Sequence, residues 1–322
     1  MDQRFDTLWS EQLEPWLLAL ETERKKAVRE TYIFGIPGVL LIIAGVIATI
    51  AMDQPLVFFA AFVGGFGLLW LGNRRLGHVR EVVKAKLNSQ IAEACGLNYS
   101  LTPEEPHRFA QFRSLGLLPS YNRRSFEDHF SGKILDCDFD LYEAKLEQKR
   151  RSKNRTYYVT VFRGVLIRIN FPRKVEGVTV ITRDQGWFNG LTALGRSFGS
   201  NKLERIGLVD PKFEDAFEVY GSDQVLARYM LTPTFMEQLL ELELSLKGKK
   251  IRAAFDQGLG QGELLVAVET GDLFEAGSMF KPLADRGRIR TIIEEINLIT
   301  RIVGTLVERP GARMDDAENT KD

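Results

Sequence analysis

Two long stretches without any charged residue dominate the hydrophobic pattern of the chain. Residues 32–52 read YIFGIPGVLLIIAGVIATIAM and residues 55–72 read PLVFFAAFVGGFGLLWLG. A helix rises about 1.5 Å per residue, so about 20 apolar residues cross the roughly 30 Å hydrocarbon core of a bilayer. A buried hairpin in a soluble core is the alternative, but such helices normally keep a polar stripe. The pattern therefore predicts a transmembrane helical hairpin over residues 31–72.

The flanks of these stretches predict their orientation. Only Asp53 and Gln54 separate the two, and this tight turn carries no basic residue. Basic residues lie outside the pair on both sides: Arg24, Lys25, Lys26, Arg29, Arg74, Arg75, Arg80, Lys84 and Lys86. Because basic residues stay on the cytoplasmic side, both termini are predicted to be cytoplasmic. Tyr32 and Trp70 lie near the cytoplasmic boundary, where aromatic rings favour the headgroup layer.

Small residues recur at four-residue spacing in both stretches, as in Ala44 with Ala48, Ala60 with Gly64 and Ala61 with Gly65. Such spacing lets helix backbones approach closely. We expect packing within the one hairpin, and a homo-oligomer through the same faces stays open. No ionisable residue lies inside either stretch, so a transport path for ions has no support.

Amphipathic patterns flank the predicted spans. Residues 1–30 carry apolar residues at helical spacing, and Pro15 is predicted to begin a helix there. Residues 73–96 carry an apolar stripe made of Leu76, Val79, Val83, Leu87 and Ile91. We interpret the first region as cytoplasmic amphipathic helices and the second as a cytoplasmic stalk helix. A helix lying on the lipid surface is the rival interpretation for residues 2–20. We favour packing, because this stretch is acidic whereas lipid-surface helices are usually basic.

Residues 97–308 are predicted to form a cytoplasmic α+β domain. Period-two alternation predicts antiparallel strands over 134–146, 156–171 and 178–182, and a hairpin over 251–255 and 263–268. Helices are predicted over 222–246, divided by Pro233, and over 283–306. Strands come in runs and do not alternate with helices, which favours α+β over α/β. Residues 184–201 are predicted to be a loop, and 309–322 a disordered tail.

Composition excludes several classes of protein. The 43 basic and 43 acidic residues give a net charge of +0, which argues against a nucleic-acid binder. Two cysteines and three histidines leave little for a disulfide framework or a zinc site with several ligands. Cys95 and Cys137 are expected to be thiols in the reducing cytosol. The chain presents no catalytic signature and indicates no cofactor.

Two charged clusters are candidates for chemistry. Asp136, Asp138 and Asp140 alternate on one predicted strand, and three carboxylates can hold Mg²⁺ or Ca²⁺. A solvated strand face balanced by Arg or Lys on the neighbouring strand is the simpler interpretation. A basic run follows: Lys145, Lys149, Arg150, Arg151, Lys153 and Arg155. Such a hairpin tip is usually solvated, but the last five residues are also candidates for contact with anionic lipid.

The glycines of DQGLGQGE, at 258, 260 and 262, resemble a nucleotide-binding loop only superficially. A dinucleotide loop needs a helix after it and a wider spacing between its second and third glycines. Strand patterns flank this segment on both sides, so we predict a hairpin loop.

A distinctive run consists of Asp210–Glu214, Phe217–Tyr220, Ala227-Arg228 and Leu231–Met236. Together with Phe162-Arg163-Gly164, it resembles a bacterial family of two-span membrane proteins known only as a domain of unknown function, DUF3137. The resemblance implies a multi-pass protein of the bacterial inner membrane and supplies no catalytic residues. By elimination, we expect a membrane-anchored interaction module that contacts the lipid bilayer and a protein partner at the cytoplasmic face. The alternative is an enzyme acting at the membrane surface through the carboxylates of the first long strand.

Overall fold

The structure is a computed structural model of the chain, and it describes residues 7, 9–153, 155–172, 174–183, 203–208, 211–246, 248, 250–258, 261–275 and 277–307. Two long apolar helices are followed by an antiparallel sheet and a C-terminal helix, so the predicted α+β class is confirmed. By their contacts, residues 1–90 and 274–290 form one compact unit, the helical unit, and residues 91–273 and 291–322 form another, the sheet unit.

The helical unit contains two helices joined by a tight turn. A π-helical turn over Trp9–Leu13 leads into helix α1 (Glu14–Met52), and helix α2 covers Pro55–Ala94. Pro15 lies in the first turn of α1, where its missing N–H breaks no helical hydrogen bond. Asp53 adopts a left-handed conformation (φ 49°, ψ 38°) that reverses the chain. Both helices are long and apolar enough to cross a membrane.

Small residues bring α1 and α2 into close contact. A Cβ atom added to Gly65 would lie 2.7 Å from the carbonyl oxygen of Gly38 and would overlap the side chain of Ile42. A Cβ atom added to Gly45 would overlap the Cβ of Ala61. The predicted packing within the one hairpin is therefore confirmed for the pair Ala61 and Gly65.

The two helices also contact each other at the end of the predicted spans and beyond it. Arg75 forms ion pairs with Glu23, at 2.8 Å, and with Glu30. The hydroxyl of Thr31 donates to the carbonyl of Gly72 at 3.0 Å. The apolar stripe predicted on α2 is a buried face, made of Leu76, Val79, Val83, Leu87 and Ile91.

A segment distant in sequence completes the helical unit. The sequence places residues 274–290 inside the predicted domain 97–308, whereas their contacts group them with α1 and α2. We call the described residues of 274–283 the strap. Its contacts with the helices are Asn88 Nδ2 to Phe274 O (2.9 Å), Lys84 Nζ to Glu275 Oε1 (2.8 Å), Arg24 Nη1 to Met279 O (2.6 Å) and Leu283 N to Glu21 Oε2 (3.3 Å).

Within the described residues, nine strands form one sheet. They are β1 (Leu97–Ser100), β2 (Arg123–Ile134), β3 (Cys137–Ser152), β4 (Arg155–Phe171), β5 (Thr179–Thr182), β6 (Glu204–Arg205), β7 (Glu218–Gly221), β8 (Ile251–Gln257) and β9 (Gly262–Glu269). Their order is β1-β2-β3-β4-β9-β8-β5-β7-β6, and the described pairings are antiparallel. The predicted hairpin of β8 and β9 is confirmed, and in its loop the amide of Gly258 donates to Gln261 O at 2.8 Å.

Helices cover the sheet. In chain order they are α3 (Phe109–Ser114), α4 (Pro211–Ala216), α5 (Gln224–Met230), α6 (Pro233–Ser245) and α7 (Arg286–Val307). Pro233 divides α5 from α6 as predicted, and the hydroxyl of Thr232 caps α6 by accepting from the amide of Phe235 at 3.3 Å. Phe109 and Phe112 of α3 share one core cluster with Tyr142 of β3. Phe235 of α6 packs on Phe255 of β8, with ring centroids 5.2 Å apart.

One predicted strand begins too early. The sequence predicts a strand from residue 134, but Leu135 and Asp136 form a turn with φ of 49° and 63°, between β2 and β3. Two consecutive positive φ angles fit the two-residue hairpin turn whose twist matches that of the strands. The pattern also missed β1 and β2. The predicted loop 184–201 and the predicted tail 309–322 both lie outside the described residues.

Candidate functional site

Charged side chains form a buried network on the sheet face that α3 covers. Arg168 of β4 lies directly opposite Asp140 of β3, and Glu263 of β9 lies directly opposite Asp256 of β8. All four side chains are buried. Because β4 pairs with β9, the two opposed pairs are neighbours on the sheet.

Arg168 and Asp140 form the centre of the network. The Nε and Nη2 atoms of Arg168 lie 2.7 and 2.6 Å from Oδ2 of Asp140. The other oxygen of Asp140 is 2.9 Å from Nε2 of His129 on β2. Nη1 of Arg168 reaches Oε1 of Glu263 at 3.4 Å. Both oxygens of Asp140 are therefore engaged by protein groups.

The segment before and within α3 supplies the rest of the network. Arg108 donates through Nη2 and Nε to Oε2 of Glu263, at 2.8 and 3.2 Å. Its Nη2 also lies 3.7 Å from Oδ2 of Asp256. Gln111 of α3 donates its side-chain amide to Asp256. These contacts attach α3 to the ends of β8 and β9.

The network shifts the pKa values of its two aspartates in opposite directions. Burial by itself would raise the pKa of Asp140, but the hydrogen bond with His129 and the charge of Arg168 outweigh burial, so the pKa lies below its ordinary value. Burial dominates at Asp256, and its pKa lies above the ordinary value despite the hydrogen bond from Gln111. Asp140 is thus held as a carboxylate, while ionisation of Asp256 is opposed.

Tyr142 lies two residues from Asp140 on the same face of β3 and is fully buried. Its hydroxyl finds no hydrogen-bond partner among the residues that the structure describes. Burial and the nearby charge of Asp140 raise the pKa of this phenol well above its ordinary value. The hydroxyl is therefore a neutral group held next to a charged network.

The three aspartates proposed from the sequence as a metal site have different environments. Asp136 lies in the turn before β3, Asp138 is exposed on the strand, and Asp140 is buried and bound to Arg168 and His129. No group of three or more His, Cys, Asp or Glu side chains in the described part of the chain could hold a metal ion. The cross-strand arginine that the simpler interpretation expects is present, as Arg168 opposite Asp140.

The basic run lies where the sequence places it, at the tip of the β3–β4 hairpin. Lys149, Arg150, Arg151, Lys153 and Arg155 are all exposed. Near the tip, the guanidinium of Arg123 stacks over the ring of Tyr158, 3.5 Å from its centroid. The tip is therefore an accessible, positively charged surface.

Sequence reasoning missed most of the buried network. Arg168 interrupts the apolar run of β4, and Asp256 follows the apolar residues 253–255 of β8. A charged residue inside an otherwise apolar strand is the signal that could have found them, since charges are rarely buried unless paired. The pairing itself depends on which strands are neighbours, and no local pattern carries that information.

Comparison with known proteins adds a family but no activity. No curated protein matches the chain. A solved structure, the crystal structure of the mycobacterial trehalose monomycolate transport factor A, TtfA, aligns with a TM-score of 0.32 and 12% identity, covering 67% of this chain and 95% of that chain. That score is too low to establish a shared fold.

Residues 160–307 match the family described as "Protein of unknown function (DUF3137)". The match starts within β4 and ends with α7, so it leaves out α1 and α2. It includes Arg168, Asp256 and Glu263 of the buried network. The resemblance to DUF3137 inferred from the sequence is thus confirmed for residues 160–307, which match this family of unknown function.

Proposed function

We propose that this protein is a membrane-anchored module of the bacterial inner membrane. In this proposal α1 and α2 cross the bilayer at residues 32–52 and 55–72, both termini are cytoplasmic, and the sheet unit binds a protein or ligand at the cytoplasmic face. The observation that carries the proposal is the exposure of apolar side chains on both helices.

These helices do not bury the apolar residues that the sequence gives them. Only 11% of the most apolar 18-residue stretch of each helix is buried. Ile50, Leu56 and Val63 are 79%, 77% and 70% exposed. Contiguous exposed apolar surface of this kind is rare on soluble proteins and marks contact with a membrane or another protein. A lipid bilayer covers such a surface on all sides of the hairpin, which favours the membrane.

The distribution of charge supports the proposed topology. The turn at Asp53 carries no basic residue, whereas Arg24, Arg29, Arg74 and Arg80 lie just beyond the two apolar stretches. Moving such side chains through a bilayer is costly, so they stay on the cytoplasmic side. The short turn has room for no folded domain, which leaves the sheet unit on the same side as the termini.

The exposed basic tip supports a binding role for the sheet unit. Five cations lie at the end of one hairpin, and each Lys or Arg near an anionic membrane surface is worth about 1 kcal/mol. The tip remains our candidate for lipid contact. The enzyme alternative has less support, because Asp140 is engaged by Arg168 and His129 and Asp136 lies outside the strand.

Topology is tested with reporter fusions in the full chain. A periplasm-active reporter inserted after Asp53 should be active, and a cytoplasm-active reporter should work after Asp322. Insertion of each reporter in the other position is the matched control. Cytoplasmic activity at Asp53 would refute the proposed crossing, and release of the protein by alkaline carbonate would refute membrane insertion itself.

Binding by the sheet unit is tested by photo-crosslinking in cells. A photoreactive amino acid replaces either Arg151 at the tip or Val225 of α5, which is 78% exposed and serves as a second test position on the sheet unit. A specific protein adduct at either position supports recruitment, and a lipid adduct at 151 alone supports lipid contact by the tip. Loss of the adduct in Lys149→Glu, but not in Arg228→Glu, would show that the charge of the tip is needed. Absence of adducts at both positions would contradict the proposal.

A further inference from the structure

We propose that the strap reaches the membrane–water boundary and that Phe280 inserts into the headgroup layer of the bilayer, beside Tyr32 and Trp70. The sequence gives no sign of this contact, because Phe280 lies in a polar segment far from the two apolar stretches. The inference rests on the proposed function in one respect, namely that α1 and α2 span the bilayer.

The strap runs along α2 towards the apolar stretch. The carbonyl of Phe274 accepts a hydrogen bond from Asn88, and Glu275 forms ion pairs with Lys84 and Arg80. Lys84 and Arg80 lie about one and two turns of α2 nearer the predicted span than Asn88 does. A groove of about 310 Å³ then separates the next strap residues from α2. It is lined by Asn73 and Arg80 of α2 and by Met279 and Phe280 of the strap, among others. Asn73 directly follows the last residue of the predicted second span.

The strap then turns back along α1. The ring of Phe280 contacts the ring of Tyr32 edge-on, with centroids 6.1 Å apart, and Tyr32 is the first residue of the predicted first span. The amide of Leu283 donates a hydrogen bond to Glu21, which lies about three turns of α1 further from that span than Tyr32 does. Phe280 therefore lies at the apex of the strap, level with the cytoplasmic ends of both spans.

The exposure of the strap side chains changes at this apex. Met279 is 4% exposed and Leu283 is 1% exposed, because both pack into the helical unit. Phe280 between them is 54% exposed, as are its partner Tyr32 (53%) and Trp70 (65%). A single exposed aromatic residue is ordinary on a protein surface. Three exposed aromatic residues at the same level of a membrane helix pair are typical of the aromatic belt at a membrane–water interface.

Cations accompany the three aromatic residues. Arg74 lies over the ring of Trp70, 5.7 Å from its centroid, and Arg80 and Lys281 are exposed. Aromatic rings with Arg or Lys suit the boundary of an anionic membrane, where the ring enters the headgroup layer and the cation meets phosphate. The partner that fits this surface is therefore a phospholipid headgroup layer.

The proposal is tested by measuring the depth of residue 280 in the full-length protein. In a Cys95→Ser, Cys137→Ala background, Phe280→Cys is labelled with an environment-sensitive fluorophore and reconstituted into vesicles of phosphatidylethanolamine and phosphatidylglycerol. Lipids brominated near the headgroup should quench this label several-fold more than lipids brominated near the chain end. Val225→Cys is the exposed control and should not be quenched by either lipid.

A third position separates this inference from the proposed function. Val63→Cys lies in the predicted second span and should be quenched most strongly by the deeply brominated lipid. Quenching at 63 without quenching at 280 overturns the inference and leaves membrane anchoring intact. If 63 is not quenched, the anchoring proposal fails and the inference fails with it.

A second measurement covers the case in which the label disturbs the strap. Unlabelled Phe280→Cys in the same vesicles should react several-fold more slowly with a water-soluble maleimide than Val225→Cys does. Equal rates would overturn the inference. Protection in native membranes but not in reconstituted vesicles would also overturn it, because the cover would then be another protein.

Discussion

Asp140 and Asp256 lie in one buried network, yet protonation of the two carboxyl groups changes the stability of the fold in opposite directions. The pKa of Asp140 is lowered in the folded protein, so its contribution to stability is present above the unfolded pKa of about 4 and is lost as pH falls through the folded value. The pKa of Asp256 is raised. The contribution of Asp256 to stability is therefore present below about pH 4 and is lost as pH rises through the pKa of the folded protein.

We predict that Asp140→Asn and Asp256→Asn have opposite effects on stability at pH 7. Removing the charge of Asp140 leaves Arg168 with Glu263 at 3.4 Å as its remaining carboxylate, and breaking such a buried pair should cost about 3 kcal/mol. Removing the charge of Asp256 relieves the cost of its burial and its repulsion by Glu263, and should leave stability unchanged or raise it by up to about 1 kcal/mol.

Thermal and urea unfolding of the full chain in detergent, followed between pH 3 and pH 8, measures both effects. The difference between the wild type and Asp140→Asn should shrink as pH falls from about 4 through the lowered pKa of the folded protein, since the carboxyl is protonated first in the unfolded and then in the folded state. Equal losses in the two variants at pH 7 would contradict the assigned charges.

Tyr142 and Tyr99 form a second matched pair at the residue scale. The hydroxyl of Tyr142 is buried without a described partner, whereas that of Tyr99 donates to Asp128 at 2.5 Å. Tyr142→Phe should therefore stabilise the protein by up to about 1 kcal/mol, and Tyr99→Phe should destabilise it by about 1.5 kcal/mol. The same unfolding measurements decide the outcome. A clear loss in Tyr142→Phe would mean that an ordered water satisfies the hydroxyl.

At the scale of elements, the helical hairpin depends on glycines at particular positions of α1 and α2. A Cβ on Gly65 would meet Ile42 and the backbone of Gly38, while a Cβ on Gly67 would have nothing within 4 Å. Gly65→Ala should separate the helices and cost about 1–3 kcal/mol through overpacking. Gly67→Ala should be neutral or slightly stabilising, because alanine is the better helix former.

Disulfide formation reports on this packing. Two cysteines replace Thr31 and Gly72, which are joined by a hydrogen bond, in a background that lacks the two native cysteines. They should form a disulfide within one chain in the Gly67→Ala variant, and form it more slowly in the Gly65→Ala variant. Equal rates in the two variants would show that the helices accommodate the added methyl group.

Success in predicting elements followed the strength of each local pattern. β4 and the β8–β9 hairpin are rich in apolar residues, and the sequence places them within a few residues of their observed bounds. β2 was missed because its sequence, RRSFEDHFSGKI, carries apolar residues only at Phe126, Phe130 and Ile134, with a register shift between Glu127 and Phe130. Pairing with β1 and β3 makes it a strand where its own pattern does not.

At the scale of the whole molecule, the strap belongs to a different compact unit from the strands and helix on either side of it. We predict that the fragment 91–307 folds without α1 and most of α2, because the sheet and its covering helices contain a core of their own. The strap should be unfolded in this fragment, since Phe274, Met279 and Leu283 then lose the helices that bury them.

Circular dichroism and hydrogen exchange test this prediction. The amides of Met279 and Leu283 should exchange fast in the fragment and slowly in the full chain, while those of β4 and β9 should be protected in both. Substituting serine for Phe274 and Met279 should make the fragment more soluble. An unfolded fragment, or a strap that stays protected in it, would contradict the division into two units.

Some properties of this protein are already determined by its sequence. The length and lack of charge of residues 32–52 and 55–72 determine two apolar helices, and Pro233 determines where α5 gives way to α6, since each of these is set by neighbouring residues. Arg168 and Glu263 are 95 residues apart, and Asn88 and Phe274 are 186 apart. Local periodicity shows that a position is buried but not what buries it. Only the tertiary structure therefore decided the charged network and the path of the strap, because both depend on which strands and helices become neighbours.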